Sequence, residues 1–201
     1  MFRTLATAAT LAAIAAAPAF AGTRGFSSDI DVRITTPVKI EVQLSEDLAH
    51  RAENLPQSIK DRNGSRGLRA GFSANGYYGE DELAELLEEL REDLGDDLAK
   101  RGVAVSDTAP VTLRVTLEDV RNNRPTFRQL SAQPNLSLQS FGTGGAEISG
   151  ELIGAAGERL GTMRYQWFDV GLDQFDVGAG VWSDTNRAID RFARHASKAI
   201  S

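Results

Sequence analysis

The stretch that decides the fold is residues 81–118, DELAELLEELREDLGDDLAKRGVAVSDTAPVTLRVTLE. Its first part, up to Arg101, repeats leucine at the three- and four-residue spacing that lines one face of a helix, and Gly102 follows as a stop. Its last part alternates apolar and polar residues from Val111 to Glu118, which is the period of a strand with one buried face. The two patterns together predict a helix that packs its leucines on a sheet. The leucines of this stripe are Leu83, Leu86, Leu87, Leu90, Leu94 and Leu98.

The segment before this stretch predicts a strand and a short helix. Residues 31–44 alternate in hydropathy, and Pro37 must lie at the start of the main strand or on an edge because it has no backbone N–H. Ser45 can cap a helix that runs to Asn54, and Pro56 ends it. We therefore expect a strand that leads directly into a single short helix.

The segment after this stretch predicts a hairpin and a closing helix. Residues 145–153 and 159–170 read as two strands joined by a tight turn. Ser183 or Asp184 can cap a final amphipathic helix. The order strand, helix, strand, hairpin, helix favours an α+β fold, in which a mainly antiparallel sheet and two main helices form a two-layer α/β sandwich. We expect a single domain over 31–201.

Residues 1–21 have the three parts of a secretory signal peptide. Arg3 supplies the positive charge, residues 5–17 form an uncharged apolar run, and the triplet AFA before Gly22 matches an A-x-A cleavage pattern. The run is too short to span a hydrocarbon core of roughly 30 Å. We therefore expect cleavage after Ala21, a flexible mature N-terminus up to Ile30 and a soluble protein in the periplasm.

Charge and cysteine content exclude several classes of function. The chain has 22 basic and 28 acidic residues, a net charge of −6, which disfavours nucleic acid as a partner. It has no cysteine, so disulfides, thiolate zinc sites and thiol catalysis cannot occur, and a lipid anchor cannot be attached at Gly22. No second apolar run approaches the roughly 18 residues of a membrane span, so we expect no transmembrane helix in the mature chain. The sequence predicts neither a metal site nor a cofactor.

No motif marks a catalytic residue, so the sequence assigns none and favours a protein that is not an enzyme. His50 and His195 have no G-x-S-x-G nucleophile motif to partner, and we interpret them as ordinary surface or boundary residues. Ten acids between Glu80 and Asp97 are interpreted as the solvated face of the long helix. The alternative is an acidic surface for a basic partner or a weakly bound divalent cation.

Two irregular segments place cations beside aromatic residues and are the candidate binding sites. Long irregular segments in a small domain are usually functional or disordered. Guanidinium groups beside aromatic rings suit anionic glycans, lipid headgroups or an acidic protein partner; the alternative is two solvated connections. In residues 56–79 the candidates are Lys60, Arg62, Arg66, Arg69, Tyr77 and Tyr78, and in residues 121–143 they are Arg124, Phe127 and Arg128.

Several segments resemble a known group of proteins when taken together. They are PVKIEVQLS, KRGVAVSDTAPVTLRVTLEDV, RPTFRQL, FGTGGAEI and the closing WSDTNRAIDRFA. With the export signal, they resemble a family of uncharacterised exported proteins of proteobacteria. The order of elements is similar to that of small envelope-assembly domains, such as periplasmic modules of secretion channels and of activators of cell-wall synthases. The resemblance implies a periplasmic α/β sandwich and transfers no catalytic residue.

Three functions fit these observations. The leading hypothesis is a non-enzymatic envelope protein that binds a partner protein or an anionic envelope polymer through its loops. The second is a periplasmic enzyme of hydrolase type with its site in those loops, which would show convergent groups with perturbed pKa values. The third is a carrier of small apolar ligands, which would show an apolar cavity between the sheet and the long helix.

Overall fold

The computed structural model describes residues 25–55, 72, 76–169 and 180–201. The signal peptide and most of the segment 56–79, with Lys60, Arg62, Arg66 and Arg69, lie outside the described residues. The strands are β1 Gly25–Ser28, β2 Val38–Leu44, β3 Val111–Arg121, β4 Gly145–Ile153 and β5 Arg159–Phe168. The helices are α1 Glu46–Glu53, α2 Glu80–Lys100, α3 Phe127–Ala132 and α4 Ser183–Ile200.

The strands form one sheet in the order β1-β5-β4-β3-β2. The neighbours β1–β5, β5–β4 and β4–β3 are antiparallel, whereas β2 and β3 are parallel, with Val38 opposite Val111. The parallel pair arises because α1 and α2 carry the chain back to the end of the sheet where β2 began. The α+β fold with a mainly antiparallel sheet is confirmed.

The core lies between one face of the sheet and the two long helices. Five leucines of the α2 stripe are buried, and Leu87 is half-buried against the same cluster. From α4, Phe192 and its neighbours on the same face pack against the apolar side of β4. The side chains that alternate with these along the strands, such as Thr116 and Ser149, face away from the helices. Among the described residues, no helix has the length and hydropathy to span a bilayer.

Two expectations for the N-terminal part differ from the structure. Residues 25–28 form strand β1 within the stretch expected to be flexible, and Phe26 lies 6.4 Å from the ring of Phe192 and 5.0 Å from that of His195. Four residues are too few to show a strand period in the sequence. The main strand begins at Val38, directly after Pro37 and at the sheet edge, as Pro37 predicted, but residues 31–36 of the alternating stretch form no strand. The chain there turns towards the helices, where Ile34 N donates to Ile200 O.

Candidate functional site

The candidate site lies at the carboxyl end of β3, where the chain leaves the sheet and returns to β4 through residues 122–144. The sequence predicted an irregular segment here, but the segment contains helix α3. Thr126 caps that helix: its Oγ1 accepts from Gln129 N at 3.2 Å, and Gln129 Oε1 accepts from Thr126 N at 3.1 Å. This reciprocal pair is a capping box. Its T-x-x-Q pattern was readable in the sequence and would have predicted the helix.

Gln129 fixes α3 to the segment around Gly76. Its side chain is fully buried, and Nε2 donates to Phe72 O at 3.4 Å and to Gly76 O at 3.1 Å. Its Oε1 also accepts from Asn122 Nδ2 at 2.5 Å. The two irregular segments that the sequence singled out are therefore joined through one buried amide.

Tyr77 and Tyr78 follow this junction and differ in role. Gly76 has a φ of +73° and a Cβ there would lie 2.9 Å from Arg51 O, so the turn requires glycine. Tyr77 is half-buried, and its N donates to Arg51 O at 2.6 Å. Tyr78 is fully buried, its hydroxyl donates to Val120 O at 2.8 Å, and its ring meets Trp182 edge-on at 5.3 Å. Tyr78 thus supports the site from within the core.

The arginines predicted in the 121–143 segment bind within the protein. Arg128 Nη2 lies 2.6 Å from Glu53 Oε2, and its guanidinium covers the Tyr77 ring at 4.9 Å. Desolvation disfavours the charged form, but the hydrogen bond to Tyr77 and the charge of Glu53 outweigh it and raise the pKa of Arg128. Arg124 Nη1 donates to Gln139 O at 3.2 Å. Both cations therefore stabilise this end of the fold.

An apolar groove of about 270 Å³ opens beside α3. We call it the loop-end groove. Phe127 and Leu138 border it, with 82% and 70% of their surfaces exposed. Folded proteins rarely expose large apolar side chains next to one another unless the surface binds something. The carboxylates of Glu82 and Glu85 stand at its rim. The full lining is Glu82, Glu85, Pro125, Thr126, Phe127, Leu130, Leu138, Val181 and Trp182.

A second depression, of about 320 Å³, lies on the other side of Phe127 and is acidic. Glu80, Asp81 and Glu82, from the first turn of α2, line it together with Glu53 and Arg128. Because Arg128 is paired with Glu53, the surface around Phe127 carries an excess of carboxylates. This region combines a large exposed aromatic side chain with negative charge.

A buried polar clamp holds the far side of the groove. Asp184 Oδ2 accepts from Asn123 Nδ2 at 2.5 Å and from Gly144 N at 3.2 Å, and Asp184 N donates to Asn123 Oδ1 at 2.9 Å. The expectation that Ser183 or Asp184 caps the last helix is therefore corrected. Trp182 is the N-cap and no side chain caps it, because the Asp184 carboxylate is used in these tertiary bonds.

The remaining titratable groups do not form a catalytic cluster with the groove. His50 is exposed on α1, and His195 is exposed on α4 where it stacks on Phe26. On α2, burial and then neighbouring carboxylates raise the pKa values of the half-buried Glu89 and Asp93. Within the described residues, no group of three or more His, Asp or Glu side chains converges as a metal site would require.

Comparisons with known proteins give distant structural matches. No protein-family model matches the chain, and no curated protein matches it. Two crystal structures of the PelC dodecamer from Paraburkholderia phytofirmans are similar in part. The first, of a point variant, has a TM-score of 0.41 and 8% identity and covers 84% of this chain and 95% of that one. The second has a TM-score of 0.38 and 11% identity, with coverage of 85% and 94%.

Proposed function

We propose that this protein is an exported, non-enzymatic protein of the cell envelope that binds a partner protein through the loop-end groove. The observation that carries the proposal is the joint exposure of Phe127 and Leu138 beside an apolar groove that Trp182 lines. Contiguous exposed apolar side chains mark interaction surfaces. Aromatic side chains at such surfaces supply much of the binding energy.

The charge around the groove selects the kind of partner. Glu82 and Glu85 lie at the rim, and the acidic depression adjoins it across Phe127. Complementary charge guides association and fixes the orientation of the partner. The groove therefore fits a partner segment in which an aromatic or aliphatic anchor stands next to lysine or arginine.

A rigid scaffold supports the groove on both sides. The capping box of α3, the buried Gln129 amide and the clamp of Asn123 with Asp184 fix both sides of the groove. A preformed groove binds with a smaller loss of conformational entropy than a loop that must order on binding. The geometry favours recognition of an extended or helical segment by a fixed surface.

The cellular location in this proposal rests on the N-terminal sequence. The signal peptide over 1–21 supports export, and the absence of cysteine in the whole chain leaves Gly22 without a lipid anchor. The anionic-polymer alternative depends on Lys60, Arg62, Arg66 and Arg69, which lie outside the described residues. Of the arginines predicted for that role and described in the structure, Arg124 and Arg128 both form bonds within the protein.

A peptide-display selection tests the proposal. Random peptides selected on the immobilised mature protein should converge on an aromatic or leucine residue beside lysine or arginine. Binding of the consensus peptide should weaken at least about tenfold in Phe127→Ser and in Leu138→Ser, the size of effect typical of an anchor contact. Binding of the consensus peptide should also weaken as the salt concentration rises, because salt screens the carboxylates at the rim of the groove.

Val105→Ser is the matched control. Val105 is 44% exposed at the opposite end of the sheet, where it bridges to Val38, so its loss should leave peptide affinity unchanged. Selection of acidic peptides, or equal affinity of the Phe127 and Val105 variants for the consensus peptide, would contradict the proposed use of the groove. Melting temperatures of the three variants confirm that each remains folded.

A further inference from the structure

The open face of the sheet carries a depression that the proposed function does not use. It has a volume of about 430 Å³, within the range of roughly 300–1,000 Å³ typical of small-ligand sites. The register places Thr116 opposite Ser149 on β3 and β4, and Thr162 lines the depression from β5, so short hydroxyl side chains form a low floor across three strands. We call this depression the sheet trough.

Long charged side chains form the walls of the sheet trough. The cations are Arg114, Arg159 and Arg164, and the carboxylates are Glu118 and Glu151. The hydroxyl of Ser149 donates to Glu118 Oε1 at 2.5 Å. The trough thus has three guanidinium donors, two carboxylate acceptors and hydroxyl groups that can act in both ways.

Two of the guanidinium groups are held in position by carboxylates that do not line the trough. Arg114 donates from Nε and from Nη2 to Glu41 Oε2, both at 3.1 Å. Arg164 is paired with Glu147, which also accepts from Gln166 Nε2 at 2.6 Å. Side chains oriented in this way lose less freedom when a ligand binds.

Two other wall residues, Arg159 and Glu151, are available for a ligand. In the part of the chain that the structure describes, the side chains of Arg159 and Glu151 have no hydrogen-bond or ion-pair partner. A guanidinium only donates hydrogen bonds, whereas a carboxylate only accepts them. A ligand that satisfies both walls must therefore offer an anionic acceptor and O–H donors in one small molecule.

We propose that the sheet trough binds an acidic saccharide, a sugar that carries a carboxylate together with free hydroxyl groups. The sugar carboxylate accepts from the arginines, as Arg–carboxylate pairing favours, and the sugar hydroxyls donate to Glu118 and Glu151. A polyanion without hydroxyls meets two repelling carboxylates, and a neutral sugar leaves the unpaired guanidinium of Arg159 without an anionic acceptor. This site lies on the sheet face opposite the helices and is independent of the loop-end groove.

Calorimetric titration with trigalacturonate tests this assignment, with maltotriose and tripolyphosphate as comparison ligands. Trigalacturonate should bind, and its Kd should rise at least about tenfold in Arg159→Gln, the loss expected for one charge-assisted hydrogen bond. Arg194→Gln is the matched control, because Arg194 is an exposed arginine on α4 that pairs with Asp190. Its affinity for trigalacturonate should equal that of the unchanged protein.

Each other result overturns the assignment. Absence of trigalacturonate binding removes the site, and equal binding of maltotriose removes the role of the arginines. Equal binding of tripolyphosphate shows attraction by charge alone. If Arg159→Gln lowers the melting temperature, NMR of the unchanged protein replaces the variant as the test. The Nε–Hε resonances of Arg114 and Arg164 should shift when trigalacturonate is added. Resonances that do not shift would refute the site.

Discussion

Gln129→Ala tests whether one buried amide holds the candidate site together. The Gln129 side chain makes four hydrogen bonds, to Thr126 N, Asn122 Nδ2, Phe72 O and Gly76 O. Its removal leaves buried donors and acceptors unpaired, and each such group costs about 1–3 kcal/mol. Asn122 Nδ2 keeps its bond to Arg124 O at 2.7 Å, so we count only the two best-formed bonds to Thr126 N and Gly76 O. The expected loss is about 2–6 kcal/mol of unfolding free energy.

Urea denaturation followed by circular dichroism measures this loss, and Gln133→Ala is the control. Gln133 is a half-buried glutamine at the end of the same helix, where its backbone N–H donates to Gln129 O and its backbone O accepts from Leu136 N. Replacement of its side chain keeps these backbone bonds and should cost less than about 0.5 kcal/mol. Hydrogen exchange of the Tyr77 and Gly79 amides should also accelerate in the Gln129 variant. Equal stability losses in the two variants, or unchanged exchange, would refute the view that Gln129 joins the two segments.

The remaining predictions concern the core, the acidic helix and the leader. Leu90→Ala should cost about 2–5 kcal/mol in chemical denaturation, as buried leucine truncations do, whereas Glu88→Ala should cost under about 0.5 kcal/mol; equal costs would show that the helix faces the other way. Burial, and then neighbouring acids including Asp190, raise the pKa of Asp93 above its ordinary value of 3.8, so its charged form is destabilised in the folded protein. Asp93→Asn should therefore raise the Tm at neutral pH. The gain in Tm should vanish as the pH falls through that raised pKa towards 3.8, because the Asp93 carboxyl of the unchanged protein is then protonated and uncharged. A gain in Tm that stays constant over this pH range would contradict the effect. N-terminal sequencing of the exported protein should begin at Gly22, and recovery of the intact precursor from the inner membrane would contradict cleavage.

Elements with a strong local period were predictable from the sequence. The leucine stripe predicted a helix over 81–101, and α2 runs from Glu80 to Lys100. The alternation around Val115 predicted β3, and the hairpin of β4 and β5 was expected at nearly the observed bounds. These patterns are visible because each residue's burial depends on its position along a single helix or strand.

Pairing between distant segments was less predictable. The parallel register of β2 with β3 depends on the crossover through α2, and β1 exists because Gly25 finds a partner at Gln166. A four-residue strand has no period of its own, so only the neighbour in the sheet makes it a strand. Helix α3 is different, because the capping pattern of Thr126 and Gln129 was present in the sequence.

The sequence by itself determined the α+β class and the helix and strand faces, because these depend on local composition and period. Only the tertiary structure brought Glu82, Phe127 and Trp182 from three separate segments to one groove. It also buried Tyr78 and placed Arg128 against Glu53. Residue types predict which chemistry is available. A site forms only where packing brings distant side chains together, because hydrogen bonds and desolvation act over a few ångströms.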